Sequence, residues 1–187
     1  MVLFLFSAIF IFFTFSTLYS ISNTLDRLTV VESERDRWQR PFDVLQGLGV
    51  SDGSTVVDLG SGAGYFTMKL ADIVGERGEV LAIDLRRPSL FFLRLRALLR
   101  NKHNISVIVG TPDDPLLPAG RIDAVLISNA YHEFTNPRLM LDHGWRSLRS
   151  GGRLIVLDRS WTSRDSGEEQ SDHHEVPVRS KYGSQWF

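Results

Sequence analysis

No cysteine occurs anywhere in the 187 residues. Disulfides, thiolate metal sites and cysteine nucleophiles are excluded, and a reducing compartment is compatible with the chain without being required by it. An excess of one charge is missing too. With 21 basic and 22 acidic residues the formal net charge is −1, so no global basic field points to nucleic acid as a partner. Internal repeats are absent. Metal-ligand spacing is also lacking: His173, His174 and Glu175 are adjacent, neighbours in sequence rarely share one ion, and a polar loop is the better reading, with no metal expected.

The most local absence is of charge in residues 1–25, which are instead dense in Phe, Leu and Ile. A bilayer-spanning helix takes about 20 apolar residues, so this segment is expected to be a transmembrane anchor. A cleaved signal is the main rival, but a basic n-region and a small-residue cleavage site are not evident. A buried hydrophobic helix and a spurious upstream start are the bland alternatives. Arg27, Arg35, Arg37 and Arg40 follow the run, and the positive-inside bias then places the remainder in the cytoplasm, on a single-pass membrane protein. Residues 26–40 read as a juxtamembrane helix or linker, 41–161 as one domain and 162–187 as a polar tail.

Within the domain, strand and helix signals alternate. Pro41 suits a first helical turn, and Val44, Leu45 and Leu48 are candidate buried positions. Val56 and Val57 sit in a short apolar run expected of a strand buried on both faces of a parallel sheet. That run ends in Asp58 and three alternating glycines, Gly60, Gly62 and Gly64, which suit a tight loop with bare backbone and exposed N–H groups facing a ligand. A helix is predicted over 65–74. Residues 79–84 form a second strand ending in Asp84, about 20 residues beyond the loop, where doubly wound sheets place a carboxylate for ribose hydroxyls. A helix rich in arginine follows over 86–101, its charges read as a solvated face with contact to anionic lipid or substrate as the lesser alternative. Strands over 105–109, 122–128 and 153–158, with a helix over 139–148, complete an α/β pattern of parallel strands and right-handed crossovers.

The segment Val57-Asp58-Leu59-Gly60-Ser61-Gly62-Ala63-Gly64 resembles the first motif of class I S-adenosylmethionine-dependent methyltransferases, and the likeness extends over about 34–161. A nicotinamide-type G-x-G-x-x-G is a poorer match, because position 65 is tyrosine. The resemblance implies a Rossmann-like parallel sheet with helices on both faces and S-adenosylmethionine as cofactor. It implies that Gly60, Ser61, Gly62 and Gly64 lie along the methionine part while Asp58 orients its amino group. Asp84 would bind the ribose hydroxyls and Leu85 would pack near the adenine. Thr111, Pro112 and Asp113, or Asp114 in its place, would contact the adenine ring. Asn129 stands at the matching edge of the fourth strand. The family also adds strands after the fifth, for which few residues remain, so the sheet is expected to be truncated there.

Methyl transfer needs a base only when the nucleophile must lose a proton. Histidine as a residue type titrates near neutrality, which makes His132 the candidate base, with Tyr131 or Glu133 holding the substrate. A histidine that merely caps or packs the loop is the equal alternative. The expected activity is methyl transfer to a small-molecule acceptor, lipophilic if the anchor serves substrate access. A non-catalytic tethered module and a nucleotide-dependent oxidoreductase are the competing classes.

Overall fold

The computed structural model describes residues 2–158 and 178–180. Expectations that fall on 159–177 and 181–187, including His173, His174 and Glu175, lie outside the described residues. The chain divides into two compact units, Met1–Arg40 and Pro41–Phe187.

The first unit is one helix, α1 (Val2–Gln39). Among the described residues no helix is long and apolar enough to cross a membrane. The transmembrane helix expected over 1–25 is therefore not found. Nor does the helix stop where the apolar run stops: it continues without a break through Asp26, Arg27, Glu34, Arg35 and Arg37. Apolar stretch and helical element are not the same object, and no joint appears near 26.

The second unit begins where proline predicts, with α2 (Pro41–Leu48). Gly49 in the left-handed region, φ 64°, turns the chain out of it. Five strands follow in one sheet: β1 (Thr55–Leu59), β2 (Glu79–Asp84), β3 (Ile105–Val109), β4 (Ile122–Ser128) and β5 (Leu148–Leu157). Their order is 3-2-1-4-5 and all neighbours are parallel. The apolar runs of β1 and β4 are continuous because both faces are covered. On one face Val56, Val80 and Ala124 meet α2 and α3 (Tyr65–Val74), and Ala82 meets Leu90 and Leu93 of α4 (Arg87–Leu99). On the other, Val57, Ile83 and Val125 pack with Met140 of α5 (Pro137–Ser147).

Among the described residues the sheet gains one short strand beyond β5, not the pair that the resemblance implies. This strand, β6 (Val178–Ser180), pairs antiparallel with β5, Leu154 opposite Arg179. The outer edge of β5 would otherwise present unpaired N–H and C=O groups, and a three-residue return strand covers part of that edge. So brief a strand has no readable alternation, which is why the whole of 162–187 reads as tail in the sequence.

Because β1 and β4 are adjacent while their crossovers leave in opposite directions, the strand order reverses between them. The carboxyl ends of β1, β2, β3 and β4 open onto a single crevice there, the usual ligand position in such sheets.

Candidate active site

The glycine loop connects β1 to α3. Gly60, Gly62 and Gly64 all have positive φ, and two of them are held by contact as well as conformation. A Cβ on Gly60 would lie 2.2 Å from Cβ of Ala130, and one on Gly64 would lie 2.2 Å from Leu93 Cδ1. The loop is thus wedged between the β4 end and α4, and only glycine lets it pass.

Its N–H groups do not point outward as the sequence suggests. Gly60 and Ser61 donate to the carbonyl of Ile83 at 2.8 and 3.0 Å, and Gly64 donates to that of Ser61 at 2.9 Å. Gly62 donates to Oδ2 of Asp84 at 2.8 Å. Three of these donors stitch the loop to β2 and the fourth closes the loop on itself, since an unpaired buried N–H would carry a penalty of about 1–3 kcal/mol. What the loop leaves to a ligand is space: a Cβ on Gly62 would meet nothing within 4 Å. It also leaves the Ser61 hydroxyl, which is buried and finds no partner among the described residues.

Asp84 is the hub. Its carboxylate is buried and accepts from the Arg86 backbone N–H at 2.8 Å and from Arg86 Nε at 3.3 Å, in addition to Gly62. Arg86 Nη1 reaches on to Glu133 Oε2 at 3.5 Å. The hydrogen bond to Asp84 raises the Arg86 pKa; partial burial opposes that rise, and the charges of Asp84 and Glu133 add to it. The guanidinium therefore stays charged across any working pH.

Around this hub lies an open depression with about 590 Å³ of unfilled space, walled by Gly60, Asp84, Leu85, Thr111, Pro112 and Phe134 among others. Five residues expected at the cofactor, Gly60, Asp84, Leu85, Thr111 and Pro112, meet in this one place. Others stand behind it. Asp58 is buried and accepts from the Thr67 hydroxyl at 2.5 Å, tying strand to helix. Asp113 is exposed, whereas Asp114 builds the turn, accepting the Leu116 N–H at 2.7 Å. Asn129 takes a left-handed conformation, φ 51°, and donates its N–H to Leu157 at 2.7 Å; asparagine tolerates this better than most residues.

His132 lies in a single 3-10 turn, Tyr131–Glu133, just past β4. Asp158, at the end of β5, holds it twice. One carboxylate oxygen accepts the His132 backbone N–H at 2.9 Å and the other lies 2.7 Å from Nδ1. A carboxylate at Nδ1 favours the proton on that nitrogen and leaves Nε2 as the acceptor. Glu133 Oε1 is 4.0 Å from Nε2. Sequence reasoning missed Asp158 as a site residue, along with Arg86 and Phe134. Parallel pairing of β4 with β5 was readable, but the meeting of their end loops was not.

One surface assignment also changes. The α4 arginines are not uniformly solvated: Arg96 is buried, and its Nη1 donates to the carbonyl of Ala63 in the glycine loop. A long stem lets arginine cross a helix–loop interface and still satisfy its charge.

A parallel sheet of this order, a glycine loop stitched to an acid at the end of β2, and a crevice at the strand switch define a class I S-adenosylmethionine-dependent methyltransferase domain. Residues 50–185 match the family described as a methyltransferase domain, and the chain belongs to it. It is 34% identical over 115 residues to the ubiquinone/menaquinone biosynthesis C-methyltransferase UbiE of Yersinia pestis (strain Pestoides F), covering 60% of this chain and 45% of that one. The chain thus spans less than half the length of such curated relatives. Among solved structures, it superposes on an S-adenosylmethionine-dependent methyltransferase from Aquifex aeolicus with a TM-score of 0.62, at 28% identity over 68% of each chain. It also resembles an arsenic(III) S-adenosylmethionine methyltransferase from Chlamydomonas reinhardtii, with a TM-score of 0.53 and 26% identity over 57% of this chain and 39% of that one.

The residues present fit the cofactor of that class. An acid stands where hydroxyls would be read, an unpartnered Ser61 hydroxyl and open space at Gly62 lie along the loop, and apolar walls offer a surface for a flat ring.

Proposed function

We propose that this chain transfers a methyl group from S-adenosylmethionine to a lipophilic small-molecule acceptor. The observation that carries the reading is Asp84, a buried carboxylate locked by the glycine loop on one oxygen and by Arg86 on the other, at the floor of the crevice. The cofactor supplies an activated methyl on a sulfonium, so the protein's share is chiefly positioning and exclusion of water. Asp84 takes the ribose hydroxyls, and Leu85, Thr111 and Pro112 wall the adenine. The loop residues Gly60, Ser61 and Gly62 border the methionine part, Asp58 and Gly64 keep that loop in shape from behind, and Asn129 holds the end of β4 to β5. His132, oriented by Asp158, accepts the acceptor's proton when one must leave. A lipophilic acceptor accords with the apolar walls around Phe134 and Met140 and with the quinone-biosynthesis names of the relatives.

Calorimetry on the full chain tests the assignment. Asp84→Ala is expected to weaken S-adenosylmethionine binding by about 1–3 kcal/mol, roughly five- to 150-fold, the scale of hydrogen bonds to a charged group. Unchanged affinity would refute the ribose role, and tight dinucleotide binding by the unaltered chain would move the reading to an oxidoreductase.

The attachment proposed for the chain is to a membrane through α1, with the methyltransferase domain on the cytoplasmic side. Supporting it are the lack of charge in 1–25 and the exposure of Phe6, Phe10, Phe12, Phe13 and Phe15, more bulk than a water-facing helix commonly carries. After cell lysis the chain is expected in the membrane pellet and to be released by detergent. Recovery in the supernatant without detergent would sink this attachment.

A further inference from the structure

The domain itself carries a second apolar surface, away from the crevice floor. On α4 the positions 87, 91, 94 and 98 follow one another at helical spacing, giving a stripe of Arg87, Phe91, Arg94 and Leu98, with Leu99 beside it. The inner face of the same helix is buried through Leu90, Leu93, Arg96 and Ala97. The outer face is not covered: Phe91 is 57% exposed, Leu98 72% and Leu99 63%. Exposed large apolar side chains clustered on one helix mark an interaction surface.

Charge decides which partner fits. Between Leu85 and Pro112 the sequence contains no aspartate or glutamate. Of the cations there, Arg86 is engaged by Asp84 and Glu133, Arg96 is buried beneath the glycine loop, and Lys102 pairs with Asp72. Arg87, Arg94 and Arg100 remain on the exposed side, Arg94 making one hydrogen bond to the Val107 carbonyl. Cations flanking Phe and Leu on a water-facing helix match a surface that offers anions above hydrocarbon. A phosphate backbone would use the arginines and gain little from Leu98 and Leu99, and the whole-chain charge of −1 supplies no wider field for it.

We infer that the outer face of α4 docks on an anionic lipid bilayer, arginines at the headgroups and Phe91, Leu98 and Leu99 in the acyl boundary. This surface is independent of α1 and of the methyltransferase reading. It begins directly after Leu85 and Arg86, which wall the crevice, so a docked bilayer lies beside the crevice's β2 side.

The lack of cysteine makes the test clean, since a single introduced thiol labels one place. The full chain with Leu98→Cys carries a polarity-sensitive dye and is mixed with vesicles of equal parts phosphatidylglycerol and phosphatidylcholine holding bromine-labelled acyl chains. A chain labelled at Ser51→Cys, in an exposed loop, is the comparison. The dye at 98 is expected to shift to the blue and be quenched on the anionic vesicles, while the dye at 51 stays unchanged. Arg87→Glu with Arg94→Glu should lower the docked-to-undocked ratio by at least about fivefold per arginine, from the strength of one cation at such a surface, even while α1 keeps the chain on the vesicle. No quenching at 98, or equal quenching on pure phosphatidylcholine, overturns the inference. So does a shift that depends on protein concentration without lipid, which assigns the face to a second copy, or one produced by polyglutamate and not by vesicles, which assigns it to an acidic protein.

Discussion

Gly60→Ala is expected to abolish most cofactor affinity and to lower the melting temperature, for one steric reason. Residue 60 has φ 83°, a conformation that costs a side-chain-bearing residue about 1–2 kcal/mol. The new methyl would stand 2.2 Å from Cβ of Ala130, a distance no pair of carbons tolerates, so the start of the β4 end loop has to move. Overpacking of this kind adds about 1–3 kcal/mol. Together these predict a fall of roughly 5–15 °C in a chain of this size and a loss of S-adenosylmethionine affinity of about a hundredfold or more, because the displaced segment leads directly to Glu133 and Phe134 on the crevice wall. Gly62→Ala is the informative companion. Its methyl meets no atom within 4 Å, so it carries only the backbone penalty and should melt within a few degrees of the unaltered chain. Calorimetric titration of both variants separates loop strain from loss of the site. If Gly60→Ala folds and binds as well as the unaltered chain, the loop does not cradle the cofactor.

His132→Ala is expected to lower kcat by about 10²- to 10⁴-fold, the usual contribution of a positioned acid or base, with the dissociation constant of S-adenosylmethionine unchanged. The geometry separates these two quantities. His132 is bound to Asp158 at the far side of the β4 turn, whereas the cofactor hub is Asp84, at the end of β2. Asp158→Asn should give a smaller loss, since an amide still accepts one hydrogen bond yet no longer favours the proton on Nδ1. Transfer of tritium from labelled cofactor into an organic extract of membrane lipids measures the rate, and calorimetry measures the binding. Should His132→Ala keep its rate and lose melting temperature instead, the histidine only secures the turn between β4 and β5.

Much of the fold was legible because its signals are local. The strands at 79–84 and 105–109 and the helix at 65–74 are continuous apolar runs or a helical-period stripe bounded by glycine, and each is observed over those same residues, while the run at Val56 and Val57 lies inside the observed strand Thr55–Leu59. Asp84 was legible because an acid at the end of a second strand has a positional meaning. The site's remaining contacts were not, since each joins residues far apart in sequence: Arg96 to Ala63, Arg86 to Glu133, His132 to Asp158. Residues 1–25 show the opposite failure. Their composition is unmistakable, yet composition does not say where a helix ends, and α1 carries on into the charged segment.

The order of residues alone therefore settled the five parallel strands and the main helices between them, and that glycines and an acid stand at the strand ends. Those outcomes follow from burial periodicity and backbone sterics, which act over a few neighbours. Tertiary structure decided what the strand ends do together. It turned the loop's N–H groups inward onto Ile83 and Asp84, brought Asp158 to His132, buried one arginine of α4 and left Phe91 and Leu98 bare on the same helix. Strand order is the physical reason: placing β1 between β2 and β4 makes one crevice from segments scattered along the chain.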